Sequence, residues 1–305
     1  MYNFINMRTA IIDLGTNTFN LLIADVTTDN FKIVHTEKEA VSLGMGGIHK
    51  NIISEDAFQR GIKTLRHFNF ICIRHKVDRI NAFGTSALRD ASNASNFALQ
   101  IKEELGIDIS IISGEKEAEL IYKGVNWSHT FTKPAVIMDI GGGSTEFIFA
   151  NKKGVNDMVS LNIGISRIYE ELHLSDPATL SEIKEVEDWL ELKSKNYFTN
   201  KNEDILIGAS GTFETFYELI YKKTFPSTIK SIEIPIDKLF SVLYEIIYSS
   251  SETRKNNEFL IPIRKKLAPI AAIKTRWALN KLKVKRVFVS PYSLKEGAVT
   301  EGKLV

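Results

Sequence analysis

The chain has 305 residues, 44% hydrophobic and 25% charged, with eighteen glycines and seven prolines, a balance that excludes collagen-like, low-complexity and wholly disordered proteins. Its length exceeds the roughly 250–300 residues at which one hydrophobic core stops growing, so two domains are expected. The formal net charge of +2 conceals a stretch from Arg254 to Arg286 in which eleven Lys and Arg stand against the single acid Glu258, a local +10; such a stretch either offers a polyanion a landing surface or solvates helix faces pointing several ways.

Ala10–Asp13 and Phe19–Val26 read as apolar strands joined by the turn Gly15-Thr16-Asn17, a hairpin, with Phe31–Val41 as a third strand. Phe58–Ile73 places Ile62, Leu65, Phe68 and Cys72 at helical spacing, and Ile80–Gly84 is a short buried strand. Asn96–Leu105 is a helix stopped by Gly106, Ile109–Ile112 a strand, and Ser113–Val125 a helix with an acidic first turn. Pro134–Ile140 and Thr145–Ala150 bracket Gly141-Gly142-Gly143 as a second strand, turn and strand. Helices are expected at Leu180–Phe198, Thr212–Tyr221, Ile236–Tyr248 and Leu267–Leu282, and strands at Ile205–Ala209 and Val287–Ser290. The alternation makes the chain α/β.

The lone Cys72 forms no internal disulfide and reads as a small buried hydrophobe in a reduced, cytoplasmic setting. No apolar run approaches the ~20 residues that cross a bilayer, and Met1–Met7 lacks the basic start of a targeting segment. The six histidines show no metal-ligand spacing in sequence. Walker-type and dinucleotide-binding loops are absent, and the scattered aromatics build no stacking platform for nucleic acid.

The two glycine turns align without a gap. Ile12-Asp13-Leu14-Gly15-Thr16-Asn17-Thr18-Phe19-Asn20 lies over Met138-Asp139-Ile140-Gly141-Gly142-Gly143-Ser144-Thr145-Glu146, the pattern of a duplicated domain whose hairpins face one cleft. Glycines let backbone N–H groups approach an anion closely, and Thr16, Thr18, Ser144 and Thr145 add hydroxyl donors. The leading aspartates would repel bare phosphate, so Asp13 and Asp139 make sense beside Mg²⁺, which takes carboxylate and phosphate oxygens together. Glu115, Glu117 and Glu119 share a first helical turn, and their position does not choose between them. Arg89, in a hydroxyl-rich loop, either grips phosphate or pairs with Asp90. Ser210-Gly211-Thr212 is a third small-residue turn, either an anion-friendly helix start or a plain connection.

Asp13-Leu-Gly-Thr-Asn-Thr-Phe-Asn, Gly84-Thr-Ser-Ala-Leu-Arg-Asp, Ile112-Ser-Gly-Glu-Lys-Glu-Ala-Glu and Asp139-Ile-Gly-Gly-Gly-Ser-Thr-Glu, in that order, resemble the exopolyphosphatase/guanosine pentaphosphate phosphatase (Ppx/GppA) family of the actin-like ATPase superfamily. The likeness is close from Arg8 to about Arg167, including Gly164-Ile-Ser-Arg167, and looser at Ile207–Thr212 and Ser290–Gly297. It implies two actin-like (ribonuclease H-like) domains with an interdomain cleft: 1–125, completed by 291–305, and 126–290. It further implies that Glu117 is the general base for water, that Asp139 and Glu146, with Asp13, hold Mg²⁺, and that Arg89 contacts phosphate. Gly15, Thr16, Asn17, Gly141, Gly142, Gly143, Ser144, Thr145, Ser210, Gly211 and Thr212 would form the phosphate loops.

The implied activity is release of terminal orthophosphate from inorganic polyphosphate, with guanosine pentaphosphate as a second substrate. A homodimer is among the partners the reading admits. An ATP-dependent kinase of the same superfamily and a non-catalytic polyphosphate or alarmone sensor are the alternatives. Arg264, Lys265, Lys266 and Lys274 would form a polyanion surface. The chain departs from the family pattern at Ser210, where a glycine is usual, at Lys295 before Glu296-Gly297, and along Ile261–Ile273, departures that bear on substrate preference and chain-length processivity. It reads as the short, two-domain form.

Overall fold

The computed structural model describes residues 7–28 and 30–301. Residues 1–6, most of the segment that carries no targeting signature, and 302–305, the end of the stretch expected to complete the first domain, lie outside the described residues. The chain divides into two compact units, one running to Gly124 and resuming at Leu294, the other spanning Val125–Ser293.

In the first unit, β1 (Met7–Leu14), β2 (Thr18–Val26) and β3 (Phe31–Ala40) form an antiparallel meander. The chain continues through α1 (Glu55–Arg74), β4 (Arg79–Gly84), α2 (Ser86–Asp90), α3 (Ala94–Leu105), β5 (Ile109–Ile111) and α4 (Gly114–Ser128). β4 joins β1 in parallel and β5 joins β4, giving the order β3-β2-β1-β4-β5. Ile11, Ile12, Leu14, Leu21, Leu22 and Ile23 are fully buried, as both faces of the central strands demand. The edge strand β3, by contrast, carries Lys32, Glu37, Lys38 and Glu39, charges that discourage further pairing. The buried stripe of α1, including Ile62, Leu65, Phe68 and Cys72, closes one side, and burial pushes the Cys72 thiol up to about 11, leaving it an unreactive core group.

The second unit repeats the plan. β6 (Ala135–Ile140), β7 (Thr145–Asn151) and β8 (Gly154–Leu161) form the meander, followed by α5 (Ile165–Glu171), α6 (Leu180–Lys193), β9 (Ile205–Ala209), α7 (Ser210–Tyr221), β10 (Ile232–Ile234), α8 (Ile236–Ile247), α9 (Ser251–Lys255), α10 (Pro262–Leu282) and β11 (Arg286–Val289). The sheet order is β10-β11-β9-β6-β7-β8, with β6, β9 and β11 parallel. α11 (Leu294–Glu301) then packs on β1 and β2 of the first unit. The core order β8-β7-β6-β9-β11 matches β3-β2-β1-β4-β5 strand for strand.

Several elements differ from expectation. Arg89 lies on the short helix α2, and β8, β10, α5, α9 and α11 were not foreseen. β8 is a half-exposed edge of mixed polarity and β10 is three residues long, so neither carries a strong period. The expected helix to Phe198 ends at Lys193, because Lys195 and Asn196 turn left-handed. α10 keeps its course through Pro269, which has no N–H for the carbonyl of Lys265; Arg254 donates Nε to that oxygen at 2.7 Å.

Ser210 sits at φ +67° where β9 enters α7, a left-handed backbone that glycine adopts freely and an L side chain resists. The usual glycine at this place thus has a conformational cause. S210G is expected to raise unfolding stability by about 0.5–1 kcal/mol, measured as the urea midpoint; an unchanged or lower midpoint contradicts the assignment of strain.

Candidate functional site

In each sheet the parallel strands end at one edge, and the chemistry-bearing residues follow those carboxyl ends, the usual ligand-binding edge of an open α/β sheet. In the first unit, Gly15–Asn17 follows β1, Arg89 follows β4, and Glu117 follows β5 on the first turn of α4. In the second, Gly141–Ser144 follows β6, Ser210–Thr212 follows β9, and Ser293 follows β11.

The second glycine loop is gripped from its carbonyl side. Ile165 N donates to Gly141 O at 3.1 Å, Ser166 N to Gly142 O at 2.8 Å, and Gly164 N to Gly143 O at 3.2 Å. Arg167 adds Nε to Gly143 O at 2.7 Å. Each of these carbonyls shares a trans peptide plane with the next residue's N–H, so the amides of Gly142, Gly143 and Ser144 are turned away from the gripping segment. They meet no acceptor among the described residues, which makes the loop a backbone nest for an anion. Gly164 must be glycine here, since a Cβ would lie 2.2 Å from Gly142 O.

The first loop is held in the same manner. Gly44 N donates to Thr16 O at 3.0 Å, and Val41 N and Ser42 N donate to Asn17 O at 3.1 and 2.8 Å, while Thr85 N donates to Leu14 O. The stretch after β3 thus serves the first loop as the stretch after β8 serves the second.

The pairs flanking the loops differ in charge. Asp13 stands opposite Asn20 in the β1–β2 register, and Asn20 Nδ2 donates to Asp13 Oδ2 at 2.9 Å. Their counterparts, Asp139 and Glu146, stand opposite each other in β6–β7 and are 7% and 1% exposed. Directly opposed residues share a sheet face, so two carboxylates are confined together. Ser293 donates to Asp139 Oδ2 and Ser160 to Glu146 Oε1, the latter at 2.6 Å. These hydroxyls add hydrogen bonds but no positive charge, and the all-oxygen donor set suits a hard divalent cation. Elsewhere among the described residues Glu37, Glu39 and His67 come together as a group of three side chains that could hold a metal ion, a cluster that sequence spacing hid.

The structure separates the three glutamates of α4. Glu115 is exposed; Glu119 is held by Lys123 and Lys116, which keep its carboxyl below the usual range; Glu117 is 8% exposed and accepts Arg89 Nη1 at 2.9 Å. Arg89 Nη1 also donates to Ile112 O at 3.1 Å. The same nitrogen serves both contacts, leaving the Nε and Nη2 edge of the guanidinium for a bidentate anion.

Two expectations need correction. Lys274 is fully buried, so it belongs to no polyanion surface: its Nζ donates to Thr145 Oγ1 and Ile163 O. Thr145, also fully buried, directs its hydroxyl to Ser144 O at 2.9 Å, inward and not toward a ligand. Of the ten other basic residues of the stretch, five are ion-paired within their unit. Arg276 pairs with Glu187, Lys281 with Glu191, Lys285 with Asp204, Arg286 with Glu233, and buried Arg254 with Asp176. Arg264 donates to Thr215 Oγ1, Lys265 to Lys255 O, and Lys266 lies over the Tyr169 ring. Sequence reasoning also missed Ser160, Ser293 and the roles of Gly164 and Arg167; Gly164, Arg167 and Ser293 lie in segments quoted for their family likeness, and Ser160 lies in its broader extent without belonging to a quoted motif.

The Ppx/GppA phosphatase family model matches residues 22–304, and the chain belongs to that family. It is 36% identical over 224 residues to a bifunctional 3-dehydroquinate synthase/phosphatase of Fusobacterium nucleatum, covering 69% of this chain and 34% of that protein. It is 34% identical over 215 residues to a guanosine-5'-triphosphate,3'-diphosphate pyrophosphatase of Pseudoalteromonas translucida, covering 69% of this chain and 43% of that one. The chain thus spans less than half the length of these curated relatives. The crystal structure of an exopolyphosphatase from Cytophaga hutchinsonii superposes with a TM-score of 0.93 at 32% identity, covering 97% of this chain and 98% of that one. The two-sheet α/β organisation is the actin-like fold of Ppx/GppA structures. Phosphatases of the family are hydrolases acting on polyphosphate or guanosine pentaphosphate and generally depend on a divalent metal.

The carbonyl-side grip generates a direct expectation. G164A, whose new Cβ cannot coexist with Gly142 O, is expected to lower stability by about 1–3 kcal/mol in urea unfolding and to weaken binding of inorganic tripolyphosphate. Wild-type stability and affinity in this variant would contradict the grip.

Proposed function

We propose that this member of the Ppx/GppA phosphatase family removes terminal orthophosphate from linear polyphosphate, with the 5'-γ-phosphate of guanosine pentaphosphate as a second substrate. The observation that carries the reading is the second hairpin, where a nest of free backbone amides lies beside two buried, opposed carboxylates. Amides turned outward recognise phosphate oxygens without specifying what the phosphate is attached to. That suits a chain of identical phosphoryl units.

Asp139 and Glu146 would hold the cation, and Mg²⁺ fits their oxygen donors; when bound it would offset negative charge on the phosphoryl oxygens. The chain's own residues perform the remaining tasks. The Gly142–Ser144 amides and the Nε–Nη2 edge of Arg89 position phosphoryl groups and meet the charge that develops on them. Glu117 accepts the proton of the attacking water, whose oxygen bonds to the terminal phosphorus as the bridging P–O bond breaks toward the shortened chain. Arg89, bonded to Glu117 Oε2, fixes that carboxylate's orientation. Asp13, tied to Asn20, has its charge partly satisfied and is assigned a lesser part in holding the cation. Of the polyanion surface expected from sequence, Lys265 and Lys266 remain as candidates to meet a trailing chain.

Phosphate release from long-chain polyphosphate and from guanosine pentaphosphate, measured side by side without any acceptor, tests the reading. Release from either supports a hydrolase; transfer only to an added acceptor supports a kinase, and binding without turnover a sensor. E117A is expected to lower turnover by at least about a hundredfold while tripolyphosphate binding survives, and comparable turnover would remove Glu117 from the mechanism. Chelation of divalent cations is expected to abolish release and Mg²⁺ to restore it; full activity in excess chelator would contradict the cation assignment.

A further inference from the structure

Lys274 lies in the interior of α10 with no solvent exposure, and nothing in the hydrolytic scheme above uses it. A lysine there is expensive to keep. Burial drives its amine down from the ordinary value to about 7, against the opposing pull of Glu146. A methionine would fill a similar volume with no ionisable group to desolvate, so packing alone does not account for the residue.

Its contacts point to a purpose. Nζ donates to Thr145 Oγ1 and to Ile163 O, and these two acceptors bracket the second glycine loop. Thr145 is the first residue after the loop. Ile163 immediately precedes Gly164, Ile165 and Ser166, whose amides hold the loop's carbonyls. Because Thr145 Oγ1 accepts from Lys274, its own proton goes to Ser144 O, the carbonyl that also accepts Gly141 N and closes the turn at 3.1 Å. One amine therefore ties together the turn-closing carbonyl, the strand that leaves the loop and the segment that grips it. The ammonium form of this amine also places positive charge behind the nest, close enough to Glu146 to interact with it.

We propose that Lys274 is a positioning residue for anion binding, a buried amine behind the Gly141–Ser144 loop that holds its shape and, in its ammonium form, draws a phosphate group to its amides. The inference rests on the polyphosphate reading. It assigns Lys274 no contact with the reacting atoms, so its loss weakens substrate binding uniformly and appears in KM more than in kcat.

Two variants separate charge from packing. K274M keeps much of the volume and removes both donors; K274Q keeps an amide donor and removes the charge. Binding of inorganic tripolyphosphate by isothermal titration calorimetry is compared among wild type and both variants, together with the thermal midpoint of each free protein and the KM and kcat for phosphate release. Both variants are expected to bind tripolyphosphate about tenfold more weakly and to raise KM by a similar factor, with kcat changed less than about threefold. A lowered thermal midpoint with wild-type affinity would make Lys274 a packing residue and overturn the inference. Wild-type affinity in K274Q would overturn it as well, and K274Q carries the test if K274M fails to fold. Wild-type protein that neither binds nor hydrolyses tripolyphosphate would defeat the polyphosphate reading and this inference together, whereas wild-type binding matched by both variants would remove Lys274 alone.

Discussion

The planar trans peptide is the constraint on which the proposed chemistry depends. Once the carbonyls of Gly141, Gly142 and Gly143 are bound by residues 164–167, the following amides have no choice of direction. A loop of outward-turned amides suited to an anion arises without a charged side chain, and its shape is set by a neighbouring segment whose own backbone comes close enough to require Gly164. In the first unit residues 41–44 hold the carbonyls of Thr16 and Asn17 in a comparable way. Two copies of one device, each following the third strand of its meander, are stronger evidence of duplication than the short aligned stretch of sequence.

The copies have diverged where charge matters. Asn20 gives Asp13 a neutral hydrogen-bond donor, whereas Glu146 places a second carboxylate beside Asp139. Opposed carboxylates that are this deeply buried need a counter-charge. On the proposed function a bound divalent cation would supply it from the ligand side, and Lys274, when protonated, from within. On the proposed function the contrast would fit one hairpin to metal-bound phosphate and the other to amide and hydroxyl contacts, although both begin with Asp-x-Gly.

What was legible in the sequence was local. The hairpins, the central strands and most long helices announced themselves through apolar period and turn residues, and ordered motifs carried the family likeness. Contacts between residues distant in sequence were hidden. Arg254 counted toward a basic surface, yet it satisfies the carbonyl that Pro269 strands inside α10; Lys281 and Arg286 meet Glu191 and Glu233, dozens of residues away. Lys274 is the sharpest case. Its neighbours in sequence are buried on every side, which marks it as interior, but charge counting alone assigned it to the surface. Glu117 was indistinguishable from Glu115 and Glu119 by position; the family likeness singled it out, and in the structure its burial against Arg89 sets it apart.

The central claim concerns which atoms receive the anion, and amide resonances report it directly. With ¹⁵N-glycine labelling, the signals of Gly142 and Gly143 should shift and saturate as tripolyphosphate and Mg²⁺ are added, while that of Gly154, in the turn at the opposite end of the β7–β8 hairpin from the loop, stays in place. Saturating binding that leaves Gly142 and Gly143 unmoved would contradict the account.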